Sequence, residues 1–186
     1  MGIPYIEAYG EGEAQAAYLV ENGDAWAVAS QDYDCLLFGA KRVVRNLAIN
    51  SNLGDLEYYN LKRVLDELDI NREQLIDMGI LIGTDFSEGL KGVGAKTALK
   101  LAKKGELENK LAKLQEESSH DISEVREIFL NHNVNTDYKI RWKKPAKNDI
   151  IDFLCEEHGF SQDRVSKACD KLKNLNSSQK SLEDWF

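Results

Sequence analysis

The first forty residues contain no lysine and no arginine, yet they carry Glu7, Glu11, Glu13, Glu21, Asp24, Asp32 and Asp34. A stretch so one-sided holds acids that have no local basic partner, and packing them together raises their pKa values unless something neutralises them. Cysteine is scarce. Cys35, Cys155 and Cys169 are odd in number and widely spaced, which indicates neither a disulfide framework nor a zinc site and suits a reducing compartment. No apolar run approaches the ~18 residues of a membrane helix. No basic start, apolar stretch and small-residue cleavage site form a signal peptide. The expectation is a soluble, intracellular protein of the cytoplasm or nucleoid, or of the nucleus if the source is eukaryotic.

The chain has 186 residues, 42% hydrophobic and 30% charged, enough for one α/β unit with or without a small helical annex. Its net charge of −8 argues against nucleic acid only if the distribution is ignored. Residues 91–104 carry Lys91, Lys96, Lys100, Lys103 and Lys104 and no acid. The chain is therefore segregated into an acidic and a basic region, with no internal repeat and no low-complexity block.

Residues 12–23 (GEAQAAYLVENG) repeat small and apolar residues at helical spacing and stop at Asn22-Gly23. The segment 25–30 (AWAVAS) reads as a strand buried on both faces. A short helix is expected at 34–39, strands at 42–47 and 56–61, and an amphipathic helix with Leu61, Val64, Leu65 and Leu68 on one stripe. Asn71 opens the next helix with Gln74 as its capping partner. From residue 83 a glycine-punctuated loop leads into a lysine-rich helix. Helices follow at 106–118 and 121–131, and a pair lies around 150–159 and 161–175, after a basic extended segment, 138–147. The fold class is α/β: a partial mixed or parallel sheet flanked by helices, then a helical region. The domain reading is 1–86, 87–175 and a mobile tail, 176–186.

The acids fall where apolar elements end. Asp32 and Asp34, two apart, project to one side of an extended stretch, roughly 6 to 7 Å apart from strand rise. Ligands of open α/β sheets bind at that end of the strands. Glu11 and Glu13 converge only if Glu11 lies in the turn before the helix, which Gly10 and Gly12 permit. Asp85 follows another apolar run, LIGTD. Each pair alone has an ordinary reading, as helix-dipole complement or turn residue. Three apolar elements that all end in unpartnered acids point instead to divalent cations. All-oxygen ligands suit Mg²⁺ or Mn²⁺.

In residues 91–105, Gly92 and Gly94 flank Val93 and open a helix bearing Lys96 and Lys100 one turn apart. Glycine lets backbone N–H groups approach an anion, and the helix N-terminus adds a favourable dipole. Such contacts to phosphate are sequence-blind. The ordinary alternative is a solvated lysine face behind a glycine turn. At the other end, Gln179, Leu182, Trp185 and Phe186 gather an apolar side on one helical turn. Two aromatics on a polar tail suggest an anchor for a partner, unless the tail folds back on its own domain.

The order E-x-E, QDYDCLLFG, LIGTD…GLKGVG and a terminal QxxLxxWF resembles the carboxy-terminal half of archaeal and eukaryotic flap endonucleases, over essentially the whole chain. The resemblance implies that Glu11, Glu13, Asp32, Asp34 and Asp85 hold two Mg²⁺ (or Mn²⁺) ions, the glutamates nearer one and the aspartates nearer the other. It implies that Gly89, Leu90, Lys91, Gly92, Val93, Gly94, Lys96 and Lys100 belong to a helix–two-turn–helix element that grips duplex DNA, with a K⁺ on loop carbonyls. It implies flap or branched DNA as substrate, with Gln179, Leu182, Trp185 and Phe186 binding the sliding clamp, PCNA. It also exposes a departure. The family is roughly twice as long, and its amino-terminal half supplies a first strand, two further aspartates and an arch over the flap. The expectation is a chain nearly inactive alone, either completed by a separate amino-terminal polypeptide or a shortened piece of a longer protein. Two other readings compete: a non-catalytic adaptor joining duplex DNA to the clamp, and a transferase using Asp32-Tyr33-Asp34 as a bare D-x-D metal motif. The five acids speak against the first, and the lysine-rich hairpin and terminal Trp-Phe against the second.

Overall fold

The computed structural model describes residues 1–47 and 55–178, with side chains up to residue 172. It divides into two compact units, Ala8–Asn135 and Met1–Glu7 with Thr136–Phe186. The larger contains helix α1 (Gly12–Glu21), strand β1 (Val28–Ala29), α2 (Asp34–Leu37), β2 (Arg42–Arg45), β3 (Glu57–Asn60), α3 (Leu61–Leu68), α4 (Arg72–Ile82), α5 (Ala95–Lys104), α6 (Leu107–Glu117) and α7 (Ile122–Leu130). The smaller contains α8 (Lys147–Ile151), a π-helical stretch Asp152–Glu157, and α9 (Gln162–Ser178).

Helix α1 forms because Ala14, Ala17 and Val20 fall on one face, each at most 2% exposed. It stops at Asn22 and Gly23, the latter in the left-handed region at φ +80°. The sheet has the order β1-β2-β3, with β1 parallel to β2 and β2 antiparallel to β3. The expected six-residue strand at 25–30 shrinks to Val28–Ala29, and Ala29 is exposed where burial on both faces was expected. Among the described residues β1 pairs with a single strand. Helix α4 begins with the expected capping box: Gln74 N–H donates to Asn71 Oδ1 at 2.8 Å and Asn71 N–H donates to Gln74 Oε1 at 2.9 Å.

One apolar cluster runs through α1, α2, β2, α4, α5, α6 and α7, so residues on both sides of position 86 share a core. Phe129 lies at its centre, fully buried, with Phe38 4.9 Å and Phe86 5.6 Å away between ring centres. Two polar anchors tie the elements together. The Arg72 guanidinium donates to the carbonyls of Leu37 (3.0 Å) and Phe129 (2.7 Å), closing the ends of α2 and α7. Buried Gln15 exchanges two bonds with the backbone of Asn135, at 2.9 and 2.7 Å, as another strand would. The smaller unit packs Ile150, Val165 and Cys169 in a core of its own, and its two chain segments meet where Lys143 N–H donates to Gly2 O at 2.9 Å. No helix among the described residues is long and apolar enough to cross a membrane.

Candidate metal centre and basic hairpin

The stretch after β1 does not stay extended. Asp32 N–H donates to Ser30 Oγ at 3.1 Å, and Asp34 N–H donates to Asp32 Oδ1 at 3.0 Å. An aspartate accepting from the backbone two residues on makes its own turn. Asp34 therefore starts α2 instead of projecting beside Asp32 from a strand, which corrects the expected extended geometry. Glu11 is the residue before α1, with extended φ −68° and ψ 133°, and Glu13 stands in the first turn. Asp85 is presented by a tight turn in which Thr84 and Ser87 exchange backbone bonds at 2.8 and 3.2 Å. Ser87 Oγ donates to Ile80 O at 3.1 Å and pins that turn to α4.

These elements bring the acids into one electrostatic neighbourhood. Asp34 is half-buried, and its carboxyl is pushed up to about 6, first by burial and then by Asp32, Asp85, Glu13 and Glu11. All four of the other acids act on it. Neither an ion-pair partner nor a hydrogen-bond donor to the Asp34 carboxylate is found among the described residues. The neighbouring Cys35 thiol is pushed up to about 11, mainly by burial, which disfavours the thiolate. Glu11, Asp32 and Asp85 are exposed. Among the described residues no three His, Cys, Asp or Glu side chains stand close enough together to form a ready-made metal site. The donor chemistry nonetheless fits a hard divalent cation. Five oxygen donors repel one another, and the innermost holds its proton unusually tightly.

The hairpin follows the Asp85 turn. Gly89 has φ +72°, and a Cβ there would lie 2.6 Å from the Ile82 carbonyl carbon and oxygen, so no other residue fits. Gly92, at φ +84°, faces open space. Leu90 is buried and its N–H donates to Leu81 O at 2.8 Å, so it anchors the hairpin to α4. Val93 is half-buried, and its N–H donates to Leu90 O at 3.0 Å. Gly94 precedes α5, whose first turn has no side-chain cap, leaving its N–H groups free for an anion. Lys91, Lys96 and Lys100 are exposed. Ala98, Leu101 and Ala102 bury the opposite face of α5. Gln179, Leu182, Trp185 and Phe186 lie outside the described residues.

One grouping escaped sequence reasoning. Arg45, Tyr33, Tyr59 and Glu57 form a polar cluster against the acid turn. Its only sequence signal was a tyrosine between two aspartates, with RVVR and EYY patterns nearby.

Residues 2–85 match the XPG I-region family. Flap endonuclease 1 of Methanothermobacter thermautotrophicus is 55% identical over 187 residues, covering 100% of this chain and 57% of that protein. That of Archaeoglobus fulgidus is 47% identical over 197 residues, again covering the whole chain and 58% of the relative. The solved flap endonuclease-1 of Methanococcus jannaschii superposes with a TM-score of 0.85 at 43% identity, over 95% of this chain and 55% of that one. Human GEN1 in complex with Holliday junction DNA superposes with a TM-score of 0.75 at 26% identity, over 97% of this chain and 52% of that one. The chain thus spans little more than half the length of the relatives it matches. Along its whole length and in its fold the chain is similar to part of archaeal flap endonuclease 1, and its residues 2–85 match the XPG I-region.

Proposed function

We propose that the chain is the carboxy-terminal portion of a flap endonuclease, hydrolysing phosphodiester bonds at 5′ flap junctions of DNA once an amino-terminal half completes it. The observation that carries this reading is the Asp34 carboxyl, raised to about 6 by burial and four neighbouring acids. A non-catalytic adaptor between duplex DNA and the clamp has no use for such a cluster.

Glu11, Glu13, Asp32, Asp34 and Asp85 would hold two Mg²⁺ or Mn²⁺ ions. Bound there, the metal supplies an activated water and stabilises the leaving oxygen. The chain's own residues prepare that site. The Ser30–Asp32–Asp34 turn presents one acid outward and tucks the other against the core. Glu11, extended just before α1, stands off the helix, and the Thr84–Ser87 turn lifts Asp85 from α4. The hairpin receives duplex phosphates on the Gly92–Gly94 backbone, the free N–H groups of α5, and Lys96 and Lys100. A K⁺ on the loop carbonyls would tighten that grip. Gln179, Leu182, Trp185 and Phe186 would dock on the sliding clamp PCNA. β1 pairs on one side among the described residues, and a first strand supplied by an amino-terminal half would extend the sheet there.

The test is a nuclease assay on a 5′ flap substrate with Mg²⁺, comparing the chain alone, the amino-terminal half of the Methanothermobacter relative alone, and both together. Cleavage is expected only from the pair. A folded pair that binds flap DNA and the clamp but leaves every phosphodiester intact would sink the nuclease reading and favour the adaptor.

A further inference from the structure

The sequence leaves Asp32 and Asp34 without a basic neighbour, but the fold brings one alongside. Arg45 ends β2, next to β1 and the turn that follows it. Its Nε donates to Gln31 O at 3.1 Å, one residue before Asp32. Its guanidinium carbon stands 3.9 Å from the ring centre of Tyr33, the residue between the two acids. This guanidinium forms an ion pair with neither aspartate.

Its charge is engaged elsewhere. Nη1 donates to the Tyr33 hydroxyl and, at 2.7 Å, to Glu57 Oε2. Glu57 faces Arg45 directly across the β2–β3 register. The Tyr59 hydroxyl donates to the same Glu57 oxygen at 3.0 Å, fixing that carboxylate from a second side. Tyr33 and Tyr59 pack edge to face, 5.6 Å between centres, with their hydroxyls 3.3 Å apart. The Arg45 side chain is largely covered, at 18% exposed, while that of Glu57 is 40% exposed. The pair is thus only partly exposed, and its placement beside an acid cluster gives it consequence for the local charge as well as for folding. A planar guanidinium that turned toward Asp32 or Asp34 would bond carboxylate in a forked geometry and compete with any cation for it.

We propose that Glu57 is a positioning residue. It holds Arg45, with help from Tyr59, and so keeps the guanidinium off the two aspartates, which stay open to a divalent cation. The inference rests on the metal-binding reading of those acids. Outer partners of this kind orient the groups that touch a metal without touching it themselves.

The experiment is a Mn²⁺ titration of the 186-residue chain, followed by the electron paramagnetic resonance of free Mn²⁺, with thermal unfolding in chelator as the check on folding. Glu57→Gln, a near-isosteric change at a partly exposed site, is expected to weaken Mn²⁺ binding about tenfold. Tyr59→Phe is expected to cause a smaller loss in the same direction. The decisive variant is Glu57→Gln with Arg45→Gln: removing the released guanidinium should regain most of the lost affinity, which a purely structural role for Glu57 does not predict. If the unaltered chain binds no Mn²⁺, the metal reading falls and takes this inference with it. If it binds, but Glu57→Gln binds as tightly, or the double variant binds more weakly than Glu57→Gln, then Glu57 does not hold Arg45 off the acids and the inference alone is overturned.

Discussion

Replacing Asp34 by asparagine should stabilise the metal-free chain at neutral pH. The folded carboxyl is raised from 3.8 to about 6. The folded state therefore binds a proton more tightly than the unfolded state, whose aspartate titrates near ~3.9. Stability then falls as pH rises through the window between about 4 and about 6, and the full deficit is present above it. A displacement of about two pH units at ~1.36 kcal/mol each sets a ceiling near ~3 kcal/mol. Because Asp34 is only half-buried, solvent screening reduces this to about 1 kcal/mol. The asparagine removes the repulsion from Asp32, Asp85, Glu13 and Glu11 and keeps a side chain of the same size. It forgoes the helix-dipole benefit of an acid at the start of α2, ~0.3–1 kcal/mol on a full-length helix and smaller on one of four residues. Urea unfolding in chelator at pH 7.5 and pH 4 measures the balance. Asp34→Asn should gain about 1 kcal/mol at pH 7.5 and nothing at pH 4, and added Mg²⁺ should raise the unfolding midpoint of the unaltered chain more than that of the variant. An Asp34→Asn chain less stable than the parent at pH 7.5 would refute the picture of acids held together against their own repulsion.

Further expectations concern the parts around the acids. Gly89→Ala should cost about 2 kcal/mol or more in urea unfolding, since the new Cβ meets the Ile82 backbone at 2.6 Å at a positive φ. Lys96→Ala and Lys100→Ala should each weaken duplex DNA binding whatever the base sequence, lowering the salt dependence of affinity by about one phosphate contact apiece, read by fluorescence anisotropy across salt. Arg126→Met removes the guanidinium 2.7 Å from buried Asp77, whose carboxyl burial already pushes upward. Chemical unfolding should show a loss of about 3 kcal/mol, largely recovered by adding Asp77→Asn, because the cost lies in the charge left behind.

Most of the local structure is legible because it is written locally. The Asn71–Gln74 box and the small-residue face of α1 follow from side-chain chemistry and spacing within a few residues. The five acids are also legible, since an acid at the end of each of three apolar elements is a pattern a linear reading can see. The strand at 25–30 differs from expectation in length and cover because burial of a strand depends on what lies beside it. The shape of the Asp32–Asp34 turn differs for a nearer reason: an aspartate side chain competes with the extended backbone for the N–H two residues on.

Sequence alone thus determined the residue types, the mixed α/β order of elements and the glycine-hinged lysine helix, all of which rest on interactions of short reach. Only the tertiary structure decided that five acids from three elements act on one another through Asp34. It alone decided that Arg45 arrives beside the acid turn and is held by Glu57, and that Gln15 and Asn135 close α1 against a segment 120 residues away. Charges and hydrogen bonds interact through space, and which ones meet is settled by the packing of apolar faces far from them in the chain.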